Sequence, residues 1–263
     1  MNAVELSKGD LPLVLGFPHA GTYIPEPILV RLNETGRALA DTDWHIHRLY
    51  AGLIPAASVV RATFHRYVID ANRDPTGASL YPGQATTGLV PLTDFDGVPI
   101  WGAPPDDKDV QERLTKFHAP YHEALNAELA RVRARHGVAL LFDCHSIRSR
   151  IPNLFDGTLP DLNLGTYDGA SCGDRFQEVA WNLTSSAPFS SVMNGRFKGG
   201  WTTRHYGRPD ANVHAIQMEI AQSTYLTDEA PPWTCNERKS VRLRRWLKEL
   251  LDALIETAKE AQP

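Results

Sequence analysis

No stretch of the chain reaches the run of about eighteen apolar residues that a membrane-spanning helix needs. The first residues, MNAVELSKGDLPLVLGF, lack the basic start and apolar core of a secretory leader. Cysteine is scarce. Cys144, Cys172 and Cys235 are odd in number and far apart, which does not read as a disulfide framework and fits a reducing cytoplasm. Neither CxxC nor HExxH occurs, so any metal site must gather ligands from distant segments. Basic clustering is confined to Arg238–Arg245 and the net charge is −4, which speaks against a nucleic-acid partner. What is present is 42% hydrophobic and 22% charged residues with no compositional break, so a single domain over residues 1–263 is expected.

Apolar patterning supplies the elements. Leu11–Phe17 (LPLVLGF) is a short apolar run ending at Pro18 and reads as a buried strand. A helix is expected over Gly36–Ile54, and strands over Ser58–Arg61 and Tyr67–Asp70 around a turn. Asp74–Gly102 holds DPTG, YPG, TTG and FDG and reads as loop with some short strand. Asp107–His136 is the clearest long helix, since Val110, Leu114, Phe117, Tyr121, Leu125, Leu129 and Val132 step by threes and fours. Gly137 fits its stop. Val138–Asp143 (VALLFD) is continuously apolar, as a strand covered on both faces should be. Gly173–Ser185 reads as helix, Val213–Ile220 as strand, and Asn236–Glu260 as a closing amphipathic helix whose basic residues form a solvated face. Helices alternating with buried strands define an α/β layered fold, and such sheets house chemistry where strands end.

Three segments carry metal-competent side chains. His19 follows the first apolar run directly, between Pro18 and Gly21, and suits either a ligand or a histidine satisfied by local backbone. In Asp41-Thr42-Asp43-Trp44-His45-Ile46-His47, a helix would put Asp43 and His47 on one face, either for ligation or as a polar helix start. In Asp143-Cys144-His145-Ser146, a persisting strand places Asp143 and His145 on one side and Cys144 in the core. His19, Asp43 and His145 together are two nitrogens and one carboxylate, the set a catalytic zinc takes while keeping a position for water. Glu219 interrupts an apolar strand, which is costly unless the carboxylate has a partner or a task; it suits a general base, or a structural ion pair. Arg73, Arg148, Arg204 and Arg208 recur in loop segments, and two converging guanidiniums would select an acidic substrate.

Five longer stretches add a resemblance: PHAGTYIP (18–25), ADTDWHIHRLY (40–50), ASLYPGQATTGLVPLTDFDG (78–97), DCHSIRSRIPNLFDGTLPDLNLGTYDGASC (143–172) and GGWTTRHYGRPDANVHAIQMEIAQSTYL (199–226). LYPGQ, HSIRS, LFDG and TRHYGRP are the most specific. Together, over roughly residues 11–226, they resemble the N-formylglutamate amidohydrolase family, the deformylases of histidine degradation. The resemblance implies a three-layer α/β/α sandwich with a central mixed sheet, similar to zinc carboxypeptidases and aspartoacylase-like deacylases. It implies one zinc ion on His19, Asp43 and His145. Asp43 looks like the carboxylate ligand, with Asp41 as the substitute, although three residues beyond His19 this chain has Thr22 where carboxypeptidases carry a glutamate. Asn72 and Arg73 look like the pair that holds a substrate carboxylate, and Glu219 like the general base. Arg148, Arg204, His205 and Arg208 are further clamp candidates.

The expected activity is hydrolysis of N-formyl-L-glutamate, a small anionic substrate, to formate and glutamate. The long Gly/Pro/Asn-rich stretch after His145 is expected to fold over the strand ends and close the site around a formyl group. Two other readings fit the same residues: an amidohydrolase for another N-acyl or formimino amino acid, and a non-catalytic binder of acidic amino acids.

Overall fold

The computed structural model describes residues 2–79 and 86–261. The LYPGQ stretch, 80–84, lies outside them. Seven strands form one sheet in the order β1-β3-β2-β4-β7-β5-β6. They are β1 (Val4–Ser7), β2 (Leu13–Phe17), β3 (Ser58–Ala62), β4 (Ala139–Ile147), β5 (Leu162–Gly165), β6 (Ser191–Met193) and β7 (Val213–Ala221). The sheet is mixed: β1 on β3 and β5 on β7 run antiparallel, and the remaining pairs are parallel. The helices are α1 (Glu26–Leu29), α2 (Glu34–Arg37), α3 (Ile46–Tyr50), α4 (Asp107–Arg113), α5 (Ala119–His136), α6 (Asp174–Ser185), α7 (Trp201–Tyr206) and α8 (Glu237–Glu260).

The central strands explain the layering. Every residue of β4 and β7 is buried, and the two pair in register from Ala139 opposite Val213 to Ile147 opposite Ala221. Alternate side chains leave the sheet on opposite sides. Leu140, Phe142 and Cys144 join Ile216, Met218 and Ile220 in a core sealed by Leu243, Leu247, Leu250 and Leu254 of α8. Ala139, Leu141 and Ala215 face the other way, against Tyr121, Leu125, Leu129 and Val132 of α5. Helices on both faces of a mixed sheet make the three-layer α/β/α arrangement. Among the described residues no helix is long and apolar enough to cross a membrane, and the three cysteines are unpaired.

Several expected elements take other forms. Gly36–Ile54 is not one helix: α2 ends at Arg37, Leu39 and His45 adopt left-handed backbone (φ 52° and 60°), and only Ile46–Tyr50 resumes a helix. The side chains of Asp41, Thr42 and Asp43 bond to Tyr67, His65 and Ser146, and such bonds compete with helical hydrogen bonding. Asp43 therefore precedes α3 and does not share a helical face with His47. Tyr67–Asp70 is fully buried but is turn and irregular backbone, closed by Val68 N–H on the His65 carbonyl and Tyr67 N–H on the His65 ring. Burial there comes without strand pairing. The long helix is segmented: a capping box at Asp106 and Asp109 starts α4, Leu114–His118 winds as a π-helix, and α5 ends at left-handed Gly137 (φ 74°). The irregular segment after His145 contains a strand, β5, laid antiparallel on β7.

Candidate metal centre and its cavity

His19, Asp43 and His145 converge from three segments, and one potential ligand atom from each lies within 4.8 Å of the others. All three are buried. His19 stands just past β2, and its carbonyl accepts the Asp43 N–H at 3.2 Å. His145 is on β4, and the next residue, Ser146, donates its N–H to Asp43 Oδ2 at 3.0 Å. Asp43 is thus clasped between two strand ends. Both imidazoles turn Nδ1 toward it: His145 Nδ1 is 3.3 Å from Oδ2 and His19 Nδ1 is 3.9 Å from Oδ1. The rings are 4.9 Å apart between centroids.

Their other nitrogens face carboxylates. His19 Nε2 is 2.6 Å from Asp70 Oδ1, and His145 Nε2 is 3.2 Å from Asp143 Oδ1. His19, giving its Nε2 proton to Asp70, presents an Nδ1 lone pair to a metal, and with Asp43 and His145 beside it the donor set fits a divalent cation. Asp70 is itself held by Arg66 Nη2 at 2.7 Å and by the Asn72 N–H at 2.8 Å, and Asp143 accepts from Thr203 Oγ1 at 3.1 Å.

The electrostatics fit a cation as well. Burial alone would raise Asp70 and Asp43, but Arg66 and the neighbouring histidines outweigh it and hold both below the usual carboxylate range. Burial would lower His145, yet Asp143 and Asp43 push it well above an ordinary histidine. His19 is lowered by burial and by Arg66. Asp43, Asp70 and Asp143 lie against the two imidazoles, and a divalent ion would offset part of their charge.

The cluster forms the floor of a cavity of about 210 Å³. Its wall includes Arg66, Asn72, Arg73, Phe95, Arg196, Phe197, Gln217 and Glu219. Glu219 lies on β7 opposite His145, and burial, with help from Asp43 and Asp143, raises its carboxyl to about 8 against the pull of His145 and Arg66. Among the six clamp candidates, Asn72 and Arg73 line the cavity. Asn72 Nδ2 is 3.3 Å from His145 Nε2, and Arg73 is braced on the Thr87 carbonyl at 2.9 Å.

The other four are not among the described residues that line it. Arg148 pairs with Asp96 at 2.8 Å. Arg204 lies over the Tyr167 ring at 4.4 Å. His205 stacks on Trp201 at 4.3 Å beside a second hollow that also takes in His118 and His122. Arg208 bridges to Val213, the opposite end of β7 from Glu219. Asp41 is also outside the cluster: its Oδ2 accepts from Tyr67 Oη at 2.8 Å and the Phe95 N–H at 2.9 Å, and burial raises it to about 7. Asp43 is the acid that reaches the histidines.

Arg66, Asp70, Arg196 and Gln217 were not among the expected site residues. A signal existed for two of them: Arg66 and Asp70 bracket the apolar Tyr67–Ile69, as Glu219 sits in the apolar run of β7. An ionisable group that shares its neighbours' burial needs a partner.

An α/β sandwich with two histidines and an aspartate buried at the floor of an arginine-lined cavity is the architecture of a metal-dependent hydrolase. The family model described as N-formylglutamate amidohydrolase matches residues 11–226. The chain is 46% identical over 259 residues to an N-formylglutamate deformylase of Pseudomonas putida, covering 96% of this chain and 95% of the relative. It is 44% identical over 261 residues to the Pseudomonas aeruginosa enzyme of the same name, covering 98% and 97%. A crystal structure of N-formylglutamate amidohydrolase from Ralstonia eutropha JMP134 superposes with a TM-score of 0.80 at 25% identity, covering 99% of this chain and 98% of that one. The chain belongs to the N-formylglutamate amidohydrolase family.

Proposed function

We propose that the chain is a cytoplasmic, single-domain amidohydrolase that cleaves N-formyl-L-glutamate to formate and L-glutamate, with one divalent cation, zinc by donor type, held by His19, Asp43 and His145. The observation that carries this reading is the convergence of those three side chains, each histidine backed by a carboxylate, beneath a cavity that also contains Glu219 and three arginines. When bound, such a cation acidifies water and polarises an amide carbonyl.

Glu219 is the general base. Its buried carboxylate, raised to about 8, takes a proton from the attacking water and returns it to the glutamate nitrogen as the C–N bond breaks. Arg66, beside Asp43, meets negative charge developing on the formyl oxygen. Asn72 and Arg73 hold one substrate carboxylate. Asp70 orients His19 and keeps its Nε2 proton in place, and Asp143 and Asn72 flank His145 Nε2. Phe95, Leu154, Phe197 and residues 86–88 also line the cavity, whose volume of about 210 Å³ suits a small acyl substrate.

The test is release of formate from N-formyl-L-glutamate by the purified protein, with metal content measured on the same sample. Turnover should vanish with a chelator and return with zinc. N-acetyl-L-glutamate turned over as fast as the formyl compound would contradict a cavity closed around formyl, and turnover of neither would contradict the assignment.

A further inference from the structure

The geometry points to Gln217 as the residue that positions the Glu219 carboxylate for proton transfer. This rests on Glu219 being the base. β7 carries Gln217 and Glu219 two apart, so both leave the sheet on the side of Asp143 and His145, their register partners on β4. Gln217 is buried, and its Nε2 lies 3.2 Å from Glu219 Oε2. The orientation of the amide follows from its other end. The Gly200 N–H donates to Gln217 Oε1 at 2.7 Å, and a backbone N–H can only donate. The oxygen therefore faces Gly200 and the NH2 faces the acid.

Gly200 is fixed in turn. A Cβ there would lie 2.3 Å from Asn72 Nδ2, so the backbone packs directly on the Asn72 amide. Two residues on, the Thr202 N–H donates to Asn72 Oδ1 at 2.9 Å. A single chain of contacts thus runs from Asn72 through Gly200 and Gln217 to Glu219. Among the described residues, Gln217 is the one side chain that donates a hydrogen bond to the Glu219 carboxylate. Held at Oε2, the carboxylate of a residue that lines the cavity is fixed in one orientation.

Two variants test this on the metal-loaded enzyme. Gln217→Met removes the donor with little change of volume. Gln217→Glu keeps the shape and the acceptor for Gly200 but sets a second carboxylate against Glu219. Loss of a hydrogen bond to a charged acid corresponds to about a 10- to 100-fold fall in kcat, and KM should stay within about twofold because no substrate contact is removed. Metal content of Gln217→Met should match the wild type, its melting temperature should fall because the Gly200 N–H loses its acceptor, and Gln217→Glu should fall further in kcat. In a Glu219→Gln background, adding Gln217→Met should cost nothing more. Unchanged kcat in both variants while Glu219→Gln is inactive would overturn the role of Gln217 and leave the base standing. An active Glu219→Gln would overturn the base itself.

Discussion

His145, Gln217 and Glu219 ride on β4 and β7, parallel strands that are buried end to end and paired along their whole length. His19, Asp43, Asp70 and Asn72 stand instead on irregular backbone between β2 and α4, held by side-chain hydrogen bonds to one another and to Arg66, Thr202 and Ser146. On the strand side, position is set by the backbone ladder, and a substitution removes one function and leaves the frame. On the loop side the polar groups are the frame, so a substitution there should disturb several ligands at once. On the proposed reading, the site joins a ladder-paired half that would carry the proton chemistry to a mutually braced half that would supply two of the three cation ligands.

The sharpest contrast comes from chemistry on the strand side. Glu219→Gln should lower kcat by about 10²- to 10⁴-fold, the range of a positioned acid–base group, with metal content unchanged. Metal loss in that variant would show that the strand half is not independent. Asp70→Asn strikes the loop side, taking the charged partner from both His19 and Arg66. It should weaken cation binding by about 10- to 100-fold, measured by competition with a chelator, and lower the melting temperature as well. Intact affinity would mean that the loops hold themselves without Asp70.

A pH-dependent melt gives a smaller signal. Glu219 has an ordinary value of 4.5 and is raised to about 8 in the fold, so between those values the folded chain binds more protons than the unfolded one. Its contribution to stability is therefore lost as pH rises through that window. Metal-free wild type should lose melting temperature from pH 5 to pH 8 more steeply than Glu219→Gln; parallel curves would contradict a buried, raised carboxyl. Least of all should change in Arg204→Ala, which lies over Tyr167 outside the cavity: kcat/KM is expected within about twofold of wild type. A large rise in KM would return Arg204 to substrate binding.

The same division governs what could be read from the residues alone. VALLFD and the apolar run around Glu219 announced two central strands, and with them the sidedness of Asp143, Cys144 and His145. Period and burial agree there. Tyr67–Ile69 is as apolar as a strand but has no partner strand, so burial misled. Asp41–His47 has helical spacing, but its acids are spent on Tyr67, Phe95 and Ser146, contacts that no local pattern reveals. The arginines show a related point. Arg148, Arg204 and Arg208 occur in the most family-like words of the sequence, yet Arg148 pairs with Asp96, Arg204 lies over Tyr167 and the Arg208 backbone bridges to Val213. Arg66, which does reach the cavity, stands in a stretch with no distinguishing motif.

The most direct test is a zinc titration of metal-stripped protein, read as bound ion per chain for wild type and for His19→Ala, Asp43→Asn and His145→Ala. One tightly bound ion in the wild type and its loss in each variant is the expected result. Stoichiometric tight binding that survives all three substitutions would contradict a metal centre built from these side chains.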